Sequence, residues 1–276
     1  MNWDLIGWSF SVIRRNPRLA VFPALSAGTV LAVIFLFVLA RYGAWGDAVE
    51  NEAFGWADYL WGIAALFAVN CIVIFFNCAL AVCAHAHFSG GQPTLRYGIE
   101  FAAGRLPQIL GWALLSTSIG VLLDAIERRV SMAGKITVWL FGFAWAMATY
   151  LVVPVLVAED RGAFESVRRA AELARGTWSK QIVAELRFGW RALLFFLPAA
   201  VLFALGMNGY PMALPAAVLC GALCAAAISA ARGIFEVALY RYAALGETPR
   251  DWPSPVRRTM EAWRLDPPSP SGSTRS

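Results

Sequence analysis

From Ala192 to Ala231 the chain runs forty residues without one charged side chain. As a single straight helix this stretch would be about 60 Å long, at about 1.5 Å per residue. The hydrocarbon core of a bilayer is only about 30 Å thick. The run must therefore fold back on itself, and Asn208-Gly209-Tyr210-Pro211 at its middle supplies a turn and a helix breaker. The expectation is a transmembrane hairpin.

Four further runs lack Asp, Glu, Lys and Arg: 19–40, 59–84, 106–123 and 136–158. Each has about the 17–25 residues needed to cross. Of the 276 residues 59% are apolar and 15% charged, against about 45–50% and 25% in soluble domains. One Arg or Asp at the centre of a crossing costs roughly 2.5–3.5 kcal/mol, so charge-free stretches of this length are what a lipid environment selects. The pattern predicts an all-α polytopic membrane bundle of six transmembrane helices, about 19–40, 59–84, 106–126, 136–158, 189–207 and 212–231. They form three hairpins, each preceded by a cytoplasmic interfacial amphipathic helix. Residues 1–246 make one transmembrane domain. Residues 247–276 make a cytoplasmic tail, with a short basic amphipathic helix begun by Ser254-Pro255 and a disordered end from Pro267. The first apolar run is too long for the core of a cleaved signal peptide, about 7–15 residues.

Charge sets the orientation. Segments 1–18, 85–105, 159–191 and 232–276 hold 19 of the 23 Lys and Arg residues, and segments 41–58 and 124–135 hold the other 4. Basic residues favour the cytoplasmic side, so both termini are expected there, in the plasma (inner) membrane. The net charge of +5 then reads as a belt suited to anionic headgroups and not as a nucleic-acid surface. Trp45, Trp56 and Trp61 outside, and Trp3, Trp8, Trp178 and Trp190 inside, fit an interfacial aromatic belt.

The amphipathic segments show helical spacing: Trp3, Ile6, Phe10 and Ile13; Leu95, Ile99, Ala102 and Leu106 after Pro93-Thr94; and Phe164, Val167, Ala171, Leu173, Ala174 and Trp178. The third carries Glu165, Arg168, Arg169, Glu172 and Arg175 on its other face, spaced for pairs along one helix. Arg168, Arg169 and Arg175 are the expected contacts to lipid headgroups on the cytoplasmic face.

Little in the chain carries chemistry. Asn70 and Asn77 share one face of the second crossing, Ser116, Thr117 and Ser118 cluster in the third, and Thr149 and Tyr150 lie within the fourth. In lipid such groups bond to neighbouring helices; the alternative is a polar lining for a small pathway. Pro154 and Pro198 interrupt the fourth and fifth crossings. Arg232 and Glu236, one turn apart just beyond the sixth, suit an intrahelical pair, and Asp124 with Arg128 a salted helix end. The small residues Ala216, Cys220, Gly221, Cys224 and Ala225 permit close approach and suggest that the sixth crossing forms the bundle centre or a seam in a homo-oligomer. His85 and His87 on one helix point about 200° apart, a poor start for a metal site. Cys71, Cys78, Cys83, Cys220 and Cys224 all lie in apolar runs, so no disulfide framework is indicated. No nucleophile, zinc or phosphate-loop motif occurs. The expectation is a non-catalytic protein without cofactors, in a structural or lipid-interacting role; the alternative is a facilitator for a small neutral or apolar solute.

Trp3, Trp8-Ser9-Phe10, Arg14-Arg15-Asn16-Pro17 and Phe22-Pro23, then Thr149-Tyr150-Leu151-Val152-Val153-Pro154 through Ala158-Glu159, Ser166 and Thr177-Trp178, resemble a family of bacterial polytopic membrane proteins of unknown function. The likeness spans roughly residues 1–245. A looser one is to the membrane domain attached to some glycerophosphodiester phosphodiesterases. Both imply fold and location, and lend no catalytic residue.

Overall fold

Thr94 shows how local chemistry sets a boundary here. Its backbone is extended and its hydroxyl accepts the Tyr97 N–H at 3.2 Å, so the next helix starts at Leu95. The computed structural model describes residues 11–14, 16–43, 55–175 and 194–247, and among these all regular structure is helical. Helix α1 spans Arg18–Gly43, α2 Trp56–Phe88, α3 Leu95–Gly104, α4 Leu106–Glu127, α5 Met132–Ala148, α6 Val152–Ala158, α7 Ala163–Arg175, α8 Leu197–Met207 and α9 Ala213–Tyr240. A π turn, Arg241–Leu245, continues α9. The first amphipathic segment as far as Phe10, the part of the fifth crossing before 194, Trp178, and the tail beyond 247 lie outside the described residues.

Among the described residues five apolar stretches are long enough to cross a membrane: Arg18–Arg41, Trp56–Phe88, Leu106–Glu127, Met132–Ala158 and Ala213–Leu245. The fourth is α5 plus α6, broken at Thr149–Leu151, just ahead of Pro154. Proline has no N–H and crowds the carbonyl four residues back, here that of Tyr150. The ladder resets around it: Val152 N–H turns to Thr149 O (3.1 Å), and Val155 N–H to Leu151 O (3.0 Å). The forty-residue run reverses where expected, at Asn208–Met212. Gly209 supplies a φ of 99° that other residues resist. Asn208 donates to Ala204 O at 2.7 Å, and α8 packs along α9.

Helix α2 is the hub and touches α1, α3, α4, α6 and α9. The sequence pointed to the sixth crossing as the centre. Helix α9 instead divides in two. Its second half buries Ala230, Ala231, Ile234, Phe235 and Val237 to Tyr240, and its first half leaves Val218, Leu219 and Leu223 exposed while packing on α8. Length explains the difference: α2 has 33 residues and presents packing faces at both ends. Helix α1 runs antiparallel to it, with Asn16 Nδ2 donating to His87 at 3.3 Å at one end and Arg41 pairing with Asp58 at the other (Nε–Oδ1 2.8 Å). Near that second end Trp61 Nε1 donates to Phe37 O at 3.3 Å. Helix α9 runs parallel to α2, with Gly233 against Leu80 and Arg241 at Ser89.

The best-packed region therefore lies at one end of the bundle. Cys78 to Ala84 of α2, Val152 to Val157 of α6, Ile234 to Tyr240 of α9, Phe22 of α1 and Ala102 of α3 form one buried cluster. Small residues set the approach. A methyl on Gly98 of α3 would come within 2.9 Å of Ala79 O and 2.8 Å of Cys83 Sγ. Two sequence-derived stripes need re-phasing. Helix α3 buries Gly98 and the expected Ala102 and half-buries Leu95, while Ile99, and Leu106 at the start of α4, stay exposed. Helix α7 buries Ser166, Ala170 and the expected Ala174 and half-buries the expected Val167 and Leu173, while Phe164 is 75% exposed. Large apolar residues gain nothing from leaving lipid, so the tight contacts go to small ones.

Candidate functional site

Three helices, α2, α6 and α9, end at this packed pole. Helix C-termini carry unpaired carbonyls and a partial negative charge. Arginines from other elements meet two of them. Arg241, 8% exposed, follows α9 and donates to Ser89 Oγ at 2.9 Å and to His85 O at 3.5 Å, in the last turn of α2; it also pairs with Glu247. The π turn and the left-handed Gly246 (φ 66°) bring Glu247 back to it. Arg105, at the bend between α3 and α4, donates to Leu156 O at 3.4 Å in the last turn of α6. It pairs with Asp160 and lies 5.2 Å from the Phe101 ring centre.

Glu159 joins the remaining pieces. Its Oε1 accepts from Tyr240 Oη at 3.0 Å and from Arg169 Nε at 3.2 Å, and its Oε2 pairs with Arg161 Nε at 2.8 Å. One carboxylate thus ties α6, α7 and α9. Its hydrogen bond holds the Arg169 guanidinium above the usual arginine range. At the opposite pole Arg128 is raised in the same way by its bond to Asp124, 2.8 Å away on one helix face.

The expected headgroup contacts separate. Arg168 is on the surface with its side chain 78% exposed, 3.8 Å from Glu172, and Arg175 is exposed. Arg169 turns inward to Glu159. The expected intramembrane lining separates as well. Asn70 Nδ2 lies 2.8 Å from Ser116 Oγ, 2.9 Å from Thr117 Oγ1 and 3.3 Å from Ala113 O, which binds α2 to α4. Ser116 also back-bonds to Trp112 O at 2.8 Å. Asn77 is partly buried and outside that set of bonds, and Ser118 faces outward. His87 is engaged with Asn16, and Cys83 Sγ points to Thr94 O at 3.7 Å. No group of three His, Cys, Asp or Glu side chains able to hold a metal occurs among the described residues.

Arg105, Arg241 and Tyr240 escaped the sequence reading as site residues. A usable signal existed: a basic residue just beyond the last turn of an apolar helix is the residue type that caps a C-terminus. What the sequence could not show is that each arginine caps a neighbouring helix.

Apolar helices of membrane-crossing length, packed through small residues and closed by inward-turned arginines at one pole, define a multi-pass helical membrane protein. The chain belongs to a family of unknown function (DUF6159), whose model matches residues 58–250. That match begins in the first turn of α2 and ends past the π turn, so it takes in the whole packed pole except α1. The chain matches no curated protein and no solved structure.

Proposed function

We propose that this protein is a non-catalytic, lipid-interacting component of the plasma membrane. It crosses six times, with α8 as the described part of the fifth crossing, and both termini lie in the cytoplasm. The observation that carries this reading is the outer surface of the packed pole. There α7 presents Arg168 and Arg175 beside a Phe164 ring that is 75% exposed, and α3 presents Arg96 with its side chain 86% exposed next to Tyr97. Exposed cations flanked by exposed aromatic and apolar groups suit a helix lying in the headgroup layer. Described basic residues that contribute to the positive-inside bias, among them Arg105, Arg161, Arg169 and Arg241, are at the same pole. On this reading the likeness to a phosphodiesterase membrane domain is one of layout alone.

The test uses the whole chain in nanodiscs of phosphatidylcholine with increasing phosphatidylglycerol. The unfolding temperature should rise with the anionic fraction, and Arg168→Gln/Arg175→Gln should flatten the rise. A wild type indifferent to lipid charge removes the proposal.

A further inference from the structure

Arg232 differs from the three inward-turned arginines of this pole. Arg105, Arg169 and Arg241 are turned inward onto carbonyls and carboxylates. The Arg232 side chain stays 45% exposed on the flank of α9. Its Nε lies 3.3 Å from Glu236 Oε1, one turn on, and its Cζ lies 5.8 Å from the centre of the Tyr150 ring. Tyr150 is 7% exposed and sits at the break between α5 and α6. Contacts from two elements thus hold one guanidinium on the outside of the bundle.

Its depth follows from the helix that α9 accompanies. Gly233 stands against Leu80, whose Cδ2 is 2.8 Å from where a methyl would be. Leu80 lies along α2 from Trp61 by 19 residues, about 29 Å at about 1.5 Å per residue. The hydrocarbon core measures about 30 Å, and Trp61, at the Arg41–Asp58 end, is the kind of residue that marks one boundary. Arg232 then stands at the other boundary, where acyl chains give way to phosphates. On the same face of α9, seven residues toward the bilayer centre and about 10 Å away at about 1.5 Å per residue, Ala225 is exposed.

We propose that Arg232, seated between Tyr150 and Glu236, binds the phosphate of an anionic phospholipid laterally, with an acyl chain lying along the flank of α9 at Ala225. This rests on the lipid-interacting reading above and gives it one defined site, separate from the surface contacts of Arg168 and Arg175. The planar guanidinium fork matches phosphate geometry. The aromatic face fixes its plane, and the Glu236 bond fixes its edge. Contacts of this kind strengthen where the dielectric falls.

The experiment measures spin-labelled phosphatidylglycerol and spin-labelled phosphatidylcholine on the whole protein in phosphatidylcholine nanodiscs, by the motionally restricted fraction of each. The wild type should restrict the anionic label more. Arg232→Gln should lower the restricted fraction of the anionic label and leave that of phosphatidylcholine unchanged, and so should Arg232→Gln/Glu236→Gln, which leaves no lone carboxylate should the single variant misfold. Arg128→Gln, at the opposite pole and in neither proposed set of lipid contacts, should retain the preference in full. Retention of the full preference by the Arg232 double variant overturns the site while leaving the lipid reading intact. A wild type without preference defeats both. Displacement of the label by excess inorganic phosphate would assign the site to free phosphate and overturn the lipid proposal; no displacement supports it.

Discussion

Tyr240 donates its hydroxyl hydrogen to Glu159 Oε1 at 3.0 Å, across 81 residues of sequence. The same oxygen takes Arg169 Nε, so the end of α9 and the middle of α7 are fastened to one carboxylate at the end of α6. Tyr240→Phe removes one bond of this knot and should cost about 0.5–1.5 kcal/mol. Glu159→Gln leaves Arg161 and Arg169 facing a neutral amide and should cost more, about 1–3 kcal/mol. Thermal unfolding in detergent gives the order. Equal losses would mean that the carboxylate charge contributes nothing.

Close approach at the pole is tested by two glycines of α3. Gly98 has no room for a methyl: Ala79 O would be 2.9 Å away, and backbone cannot swing aside. Gly98→Ala should part α3 from α2 and cost about 1–3 kcal/mol, as overpacking does. Gly104 has nothing within 4 Å, so Gly104→Ala should be neutral or stabilise by up to about 1 kcal/mol through helix propensity. Unfolding midpoints that move together would show that helix propensity, and not contact, decides both.

Much of the layout is legible in the chain. The charge-free runs at 19–40, 59–84 and 106–123 lie within α1, α2 and α4, the fourth crossing breaks just ahead of Pro154, the Asn208 turn falls where its residues stand, and Thr94 caps α3. What is hidden is which face turns inward. In water the large apolar residues mark the core, and the stripes through Ile99 and Phe164 follow that logic. Against lipid small residues take the contacts: Ala102 and Ala174 of the expected stripes are buried, Gly98 and Ala170 are buried outside them, and Ile99 and Phe164 are not buried. The polar cluster was half legible for a related reason. Spacing puts Asn70 and Asn77 on one face, but only the α2–α4 crossing decides that Asn70 meets Ser116 and Thr117.

That crossing is open to a double-mutant cycle. Intramembrane bonds of this type average about 0.6 kcal/mol each, so Asn70→Ala should cost about 1–2 kcal/mol and Thr117→Val less. Their effects should fall short of additivity, because each removes the bond the other would have lost. Ser118→Ala, on the outward face, should change nothing. Loss of stability at Ser118 equal to that at Asn70 would mean that the outward face also packs.

The two poles can be assigned to sides of the membrane by labelling. Helices α2 and α9 run parallel, so the turn before α9 lies at the Arg41–Asp58 end, and α7, tied through Glu159 to the end of α6, lies at the other. Tyr210 is 66% exposed in that turn, and Phe164 is 75% exposed on α7. Cysteines placed there, as Tyr210→Cys and Phe164→Cys, should meet an impermeant thiol reagent from opposite faces. On the proposed orientation Tyr210→Cys reacts in intact cells, and Phe164→Cys reacts only after the membrane is opened. The native thiols should stay silent, since they lie within apolar helices where the reactive thiolate is disfavoured. Reaction of both sites from one face would mean that α8 and the segment before it do not cross, and the sixfold arrangement would fall.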